Sequence, residues 1–189
     1  MGLSVKVLDV DPHAETLEAA LEGEDPLSYV ARVAILKLQH ALNSLSMRPD
    51  MTRDPSAAVV LSADTTVAID GKILGKPANA HEASAMLRLL SNRIHHVHTA
   101  VCARRIDKGP EQSVTVSSEV VFAHLPEPWI DRYVASGEPL DKAGAYGVQG
   151  AAGSMIPRIN GSYSGIMGLP LFETMQLIEH LGNDSTTAC

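Results

Sequence analysis

Residues 137–150 carry more side chains suited to holding a small polar molecule than any other stretch of this sequence. Glycine recurs at every third position from 144 to 153, a spacing that suits neither a helix nor a strand and predicts a shaped loop. The loop also carries an acid, a cation, a phenol and an amide, which are Asp141, Lys142, Tyr146 and Gln149. This set suits a charged ligand, although a glycine-rich connection between strands explains the stretch alone about equally well.

Asp64 is the acid whose position most strongly suggests a function. It follows residues 57–62, an apolar run that predicts a buried strand. A carboxylate at this place is costly to bury unless a cation pairs with it. Acids at strand ends also serve as turn caps, so the position of Asp64 alone favours a functional role only slightly.

Three further patterns resemble known sites and fail their requirements. Residues 71–77 are one residue short of a P-loop and end in proline where a magnesium-binding hydroxyl should stand. The glycines after residue 143 do not form the dinucleotide-binding pattern. His96 and His98 share a strand face, but no third ligand lies at a metal-binding spacing, which favours a solvated face.

Composition excludes several classes of protein. The chain has 189 residues, 45% of them hydrophobic and 20% charged, which is typical of one globular domain with a real core. A net charge of −7 argues against broad contact with nucleic acid, although a local lysine cluster can still bind a phosphorylated ligand. Two cysteines, no signal-peptide pattern and no membrane-spanning run predict a cytoplasmic protein without membrane contact.

The elements that must position these residues alternate between strands and helices. Period-two patterns predict strands at residues 3–10, 57–62, 67–70, 72–74, 95–105, 113–124, 154–159 and 163–167. Asp-Gly at 70–71 predicts a hairpin turn between two of them. Helical spacing predicts helices at residues 28–45, 79–91, 126–136 and 169–181. Asn79 is the expected N-cap of the second helix, and Gly182 is expected to stop the last one. We therefore expect one mixed α/β domain over residues 1–182 and a disordered tail over 183–189.

Several short motifs together are much more specific than any one of them. They are Ala-Asp-Thr at 63–65, Gly-Lys-Pro at 75–77, the loop at 137–150, Gly-Ser-Tyr at 161–163 and Gly-Leu-Pro at 168–170. This combination resembles the Maf family of nucleoside triphosphate pyrophosphatases over nearly the whole chain. The resemblance implies an α/β fold like that of inosine triphosphate pyrophosphatase: a mixed, twisted central sheet, flanking helices and a central cleft, often in a dimer.

The resemblance also implies a reaction and residues for it. Water attacks the α-phosphorus of a nucleoside triphosphate, giving a monophosphate and pyrophosphate with the help of a divalent cation, Mg²⁺ or Mn²⁺. Asp64 matches the family's proposed proton acceptor and a metal ligand, and Lys37 and Lys76 match lysines that contact phosphates. Glu18 matches a second acid near the metal, with Glu15 as the alternative in this loosely aligned segment.

Two more positions imply the nucleobase. Thr65 and Gln149 match positions that distinguish the branch acting on dTTP and UTP from the branch acting on 7-methyl-GTP. A glutamine amide presents a donor and an acceptor together, as does the O4 and N3–H edge that thymine and uracil share. We therefore expect a dTTP and UTP pyrophosphatase, with modified pyrimidine nucleotides left open as further substrates.

The sequence departs from the family at its beginning. The family starts with a strand, the motif Ser-x-Ser-Pro-Arg-Arg and a helix, and this motif occurs nowhere in the chain. A start assigned to an internal methionine is the favoured explanation, and a truly shortened protein is the alternative. A non-catalytic nucleotide-binding protein and a 7-methyl-GTP pyrophosphatase stay open as other functions, and a homodimer is left open.

Overall fold

The structure is a computed structural model that describes residues 4–8, 19–46, 58–106 and 109–183. The predicted site residue Glu18 and its alternative Glu15 lie outside these ranges, as does the predicted tail after Asn183. None of the described helices combines the length and apolar character that a membrane span requires.

Helix α1, Pro26–Ser46, covers one face of the sheet and confirms the helix predicted for residues 28–45. Its start is fixed by Asp25, whose side chain accepts hydrogen bonds from two backbone N–H groups of the first turn. The helix buries Tyr29, Val30, Val33, Ala34 and Leu38. Each buried side chain of the size of valine or leucine contributes about 1.5–3 kcal/mol, against about 1 kcal/mol for the cap, so packing dominates.

The described strands form one five-stranded sheet in the order β2-β1-β3-β4-β5. They are β1, Val59–Ile69; β2, Lys72–Leu74; β3, Ile94–Arg105; β4, Gln112–Val121; and β5, Arg158–Asn160. The predicted α/β class is confirmed, but the pairings among these strands are all antiparallel, where the sequence predicted a mixed sheet. The reason is that β1 reverses through a tight turn into β2, and the chain then returns to pair its next strand with β1 rather than with β2.

The opposite face of the sheet carries the remaining helices. They are α2, Ala80–Leu90; α3, Glu127–Ala135; α4, Tyr163–Ile166; and α5, Leu171–Asn183. The largest fully buried side chains of the core cluster against α2 and α3 are Leu87, Leu90, Phe122 and Ile130. The helices predicted for residues 79–91 and 126–136 and the turn at Asp70-Gly71, with φ of 52° and 75°, are confirmed.

Some local predictions were wrong. Residues 4–8 of the predicted first strand pair with no described strand. Residues 163–166 form a helical turn instead of a strand because the Ser162 side chain accepts a hydrogen bond from the N–H of Gly165 and starts the turn. Of the strand predicted at 154–159, only residues 158 and 159 pair with β4, together with the next residue, Asn160. Gly182 lies inside α5 rather than after it.

Among the described strands, one edge of β1 is unpaired over most of its length, and we call this stretch the open edge. The strand has 11 residues, but β2 has three and pairs only with Val67, Ala68 and Ile69. None of the described strands pairs with the earlier part of β1 on that side. Side chains from both faces of β1 line a single cavity.

Candidate functional site

A cavity of about 340 Å³ lies beside the open edge of β1. Its walls come from α1, β1, the segment after β2, the loop at residues 137–150 and the turn that follows α4. The site residues predicted within the described ranges all line it: Lys37, Asp64, Thr65, Lys76 and Gln149. Residues far apart in the sequence are thus brought together around one space.

Asp64 lies within β1, on the face that α1 covers. It is only 9% exposed, and one carboxylate oxygen, Oδ1, lies 2.6 Å from the ammonium Nζ of Lys37. Ser62, two residues earlier, also faces α1 and donates a hydrogen bond to the Ala34 carbonyl. The strand was predicted to end before Asp64, but it continues to Ile69 because β3 pairs with it along this whole length. The sequence-based expectation that a cation must accompany this acid agrees with the ion pair.

Lys76 reaches the cavity because β2 ends two residues before it, at Leu74. The N–H of Gly144 donates a hydrogen bond of 3.0 Å to the carbonyl of Gly75, so the glycine-rich loop is tied to the chain beside Lys76. The hairpin arm and the loop therefore form one continuous wall.

The stretch at residues 137–150 is a loop, as predicted, and it contains two short 3-10 turns. Gly144 has φ of +67° and sits so close to β1 that a Cβ atom there would lie 2.9 Å from Val67. Close packing at this one glycine brings the loop against the floor of the cavity. The conformation of the loop depends on a tertiary contact as well as on its glycines.

Lys142, the cation of the loop that the sequence suggested for a charged ligand, lines the cavity. Its ammonium lies 2.6 Å from Oδ1 of Asp141 and donates to the carbonyl of Glu138. Together with Lys37 and Lys76 it gives the cavity three lysines, and Asp64 is the one carboxylate among the described residues that line it. The site is therefore cationic in a protein of net charge −7, which suits a polyphosphate.

Thr65 and Gln149 add neutral hydrogen-bonding groups to the cavity. Successive side chains of a strand point to opposite faces, so Thr65 points away from α1 while its neighbour Asp64 points toward it. The Thr65 hydroxyl lies 2.9 Å from that of Thr99 on β3, and Gln149 is exposed on the loop, where its amide and the Lys142 side chain both approach Gly147. The cavity thus offers neutral hydrogen-bonding groups as well as charged ones.

Tyr146 supports the loop from below rather than offering its phenol to a ligand, which corrects the role suggested for it from the sequence. Its hydroxyl is buried and lies 2.7 Å from Nε2 of His95. Both rings pack against Phe122. Burial raises the pKa of Tyr146, which keeps it neutral, and lowers the pKa of His95 to about 4, with the neighbouring His96 lowering it further.

The buried His95 should make the stability of the fold depend on pH. At pH values between its ordinary pKa of 6.5 and the folded value of about 4, His95 binds a proton in the unfolded chain but stays neutral in the folded chain. The free energy of unfolding should therefore fall as the pH drops through this window, by up to about 3 kcal/mol from this residue. Urea unfolding at pH 7 and pH 5 should show a smaller loss for His95→Gln than for the wild type, and equal losses would contradict the assignment.

The donors in the cavity fit a divalent cation that is shared with a substrate. No group of three histidine, cysteine or acidic residues is arranged as a metal cage within the ranges described by the structure. Mg²⁺ commonly keeps several waters and binds one or two carboxylates together with substrate phosphates, so the carboxylate of Asp64 meets this requirement. The stacked pair His96 and His98, with ring centroids 5.8 Å apart, is not part of such a group.

Comparisons with known proteins agree with these observations. The family model described as "Maf-like protein" matches residues 1–181. A protein of Ralstonia nicotianae named "dTTP/UTP pyrophosphatase" is 51% identical over 170 residues, which cover 90% of this chain and 79% of the relative. Proteins with the same name from Cupriavidus metallidurans and Albidiferax ferrireducens are 48% and 49% identical, covering 96% and 92% of this chain and 88% and 84% of their own lengths.

Proposed function

Because the chain belongs to the Maf family, we propose that it hydrolyses dTTP and UTP to the nucleoside monophosphate and pyrophosphate. The observation that carries the proposal is the set of groups gathered around one cavity. The Asp64–Lys37 ion pair and two more lysines line it together with the neutral hydrogen-bonding groups of Thr65 and Gln149. A nucleotide presents the same two kinds of group, charged phosphates and a neutral base.

In the proposed reaction, a water oxygen attacks the α-phosphorus and forms a new P–O bond. The bond from the α-phosphorus to the bridging oxygen breaks, and pyrophosphate leaves with the electron pair. The Asp64 carboxylate accepts the proton of the attacking water, while Lys37 holds this carboxylate in place through their 2.6 Å contact. Lys76 and Lys142 neutralise the charge of the phosphate chain and of the leaving pyrophosphate.

We propose that Asp64 also holds a divalent cation, with Glu18 as the second acid. When bound, such a cation supplies charge neutralisation and orientation of phosphate oxygens.

A second part of the proposal is the place of action: the substrates are cytoplasmic nucleotides, so we assign the activity to the cytoplasm.

We propose that the base lies against Thr65 and Gln149. The glutamine amide can donate to O4 of thymine or uracil, and the threonine hydroxyl can accept from N3–H. A base with a different edge would cover these polar groups without pairing them, and this penalty provides discrimination.

Replacing Gln149 with glutamate should change the preferred base more than the rate on the phosphates. The carboxylate keeps the length of the side chain but loses the N–H donor for O4, so kcat/KM for UTP and dTTP should fall by about 10- to 100-fold. Cytosine presents an N4 amine instead, so kcat/KM for CTP should fall less or rise. Initial rates with UTP, dTTP and CTP measure the profile, and an unaltered profile would remove Gln149 from base recognition.

The function itself is tested by pyrophosphate release in the presence of Mg²⁺ or Mn²⁺. The panel contains dTTP, UTP, CTP, GTP and 7-methyl-GTP, with nucleoside diphosphates as controls for phosphate release. We expect release from dTTP and UTP above the others. Release of orthophosphate, or preference for 7-methyl-GTP, would contradict the proposal, and nucleotide binding without release would support a non-catalytic binding protein instead.

A further inference from the structure

Thr65 and Thr99 stand directly opposite each other on β1 and β3. Their hydroxyl oxygens lie 2.9 Å apart. Thr99 is only 1% exposed, and its hydroxyl lies 2.7 Å from the carbonyl oxygen of Gly165 in α4. Thr65 lines the cavity and Thr99 does not, so the hydrogen bonds run from the cavity wall into the interior.

Counting protons fixes the direction of these hydrogen bonds. A carbonyl oxygen can only accept, so Thr99 must donate its single hydroxyl proton to Gly165. The same carbonyl also accepts hydrogen bonds from the backbone N–H groups of Met167 and Gly168, so the turn after α4 holds it in place. Thr99 then has no proton left for its neighbour, and the 2.9 Å contact requires that Thr65 donates to Thr99.

As a consequence, the Thr65 hydroxyl can only accept hydrogen bonds on its cavity side. With its proton committed to Thr99, Thr65 presents only acceptor lone pairs to a ligand. Space is open beside it, because a Cβ atom built on Gly168 would be 3.8 Å from the Thr65 oxygen and nothing closer is found there. A group that meets this oxygen in the cavity must therefore bring its own N–H or O–H donor.

We infer that Thr99 is a positioning residue for base selection: it fixes the Thr65 hydroxyl as an acceptor and so selects bases that carry a ring N–H donor. Among the pyrimidines, uracil and thymine have such a donor at N3, whereas N3 of cytosine is an acceptor. This inference rests on the proposed function, in which the base lies against Thr65. It assigns to Thr99, which lies outside the cavity, control over whether the Thr65 hydroxyl donates or accepts a hydrogen bond in the cavity.

The simpler alternative is that Thr99 only ties β3 to α4. The residues after Gly165 line the cavity, so loss of this tie would move a wall and weaken all nucleotides alike. The two roles therefore differ in one readout. If Thr99 fixes Thr65 as an acceptor, its loss changes the ratio of kcat/KM for UTP to that for CTP. If Thr99 only ties β3 to α4, its loss changes both values of kcat/KM by the same factor.

The test compares Thr99→Val, Thr99→Ser and Thr174→Val with the wild type. Valine keeps nearly the shape of threonine but removes the hydroxyl, and the Thr65 proton becomes free to turn toward a ligand. Serine retains the hydroxyl and should rescue the wild-type ratio. Thr174 is a buried threonine of α5 that does not line the cavity, so its replacement controls for loss of a buried hydroxyl.

We expect Thr99→Val to lower the ratio of kcat/KM for UTP to that for CTP by about five- to tenfold, which corresponds to one hydrogen bond. Thr99→Ser and Thr174→Val should keep the wild-type ratio. An unchanged ratio in Thr99→Val, or an equal fall for both nucleotides, would overturn the inference. If Thr99→Val does not fold, Thr99→Cys provides the same comparison, because it nearly keeps the volume of threonine and its thiol is only a weak donor and acceptor.

Failure of the proposed function would be seen separately. If the wild type releases no pyrophosphate from any nucleotide, the same ratio is measured for binding of UMP and CMP by calorimetry, with the same variants. A preference for UMP that Thr99→Val removes would support the inference without catalysis. A wild type that treats UTP and CTP equally in turnover, or UMP and CMP equally in binding, would overturn it even if pyrophosphatase activity is found.

Discussion

Replacing Asp64 with asparagine should lower kcat for dTTP and UTP by about 10²- to 10⁴-fold, the range lost with a general base. The amide cannot take a proton from water, but its oxygen can still accept the hydrogen bond from Lys37 that the carboxylate receives at 2.6 Å. The site should therefore keep its shape, and KM should change by less than about tenfold. Steady-state rates of pyrophosphate release give both quantities.

Asp70→Asn is the matched control for Asp64→Asn. Asp70 lies just beyond the end of the same strand, pairs with Arg93 at the surface and is far more exposed than Asp64. Its replacement removes an equal charge outside the cavity and should leave kcat near the wild-type value. Turnover by Asp64→Asn equal to that of Asp70→Asn would exclude Asp64 as the proton acceptor. A large rise in KM with unchanged kcat would make it a binding group instead.

Replacing Gly144 with alanine should destabilise the protein by about 2–4 kcal/mol. The new Cβ would meet three side-chain atoms of Val67 at 2.9 Å, and overpacking of this kind costs about 1–3 kcal/mol. The positive φ of +67° adds about 1 kcal/mol for a residue other than glycine. Urea unfolding measures the loss. The pyrophosphatase rate should also fall, because the displaced loop carries Lys142 and Gln149.

The chain offers a control that separates these two costs. Gly137 has a similar φ of +77°, but a Cβ added there would meet no atom within 4 Å. Gly137→Ala should therefore lose only about 1 kcal/mol. Adding Val67→Ala to Gly144→Ala should remove part of the steric cost. If the two glycine variants lose equal stability, contact with Val67 is not what demands glycine at position 144.

The sequence by itself determined the elements whose signals are local. Helix α2 was predicted with Asn79 as its cap, and the structure shows this side chain accepting a hydrogen bond from the N–H of Glu82. The turn at Asp70-Gly71 was predicted from its two residues, because they tolerate the positive φ that the turn requires. Short motifs also marked Asp64, Thr65 and the other predicted cavity residues before any geometry was known.

Local signals misled where distant partners decide the conformation. The polar residues from Asp64 to Thr66 suggested the end of a strand, yet pairing with β3 carries the strand through them. Residues 163–166 were predicted as a strand, but the cap from Ser162 makes them a helical turn. In the first case a distant strand outweighs the intrinsic preference of the segment. In the second case the cap is itself a local signal, three residues from its partner, which the strand prediction overlooked.

Only the tertiary structure decided how the site is assembled. Lys37 meets Asp64 because α1 packs across β1, and side chains from both faces of β1 line a single cavity. Thr99 carried no signal in the sequence, since its importance depends on its register opposite Thr65 and on the carbonyl of Gly165. The physical reason is that residue types set which bonds can form, whereas packing and strand register set which partners meet.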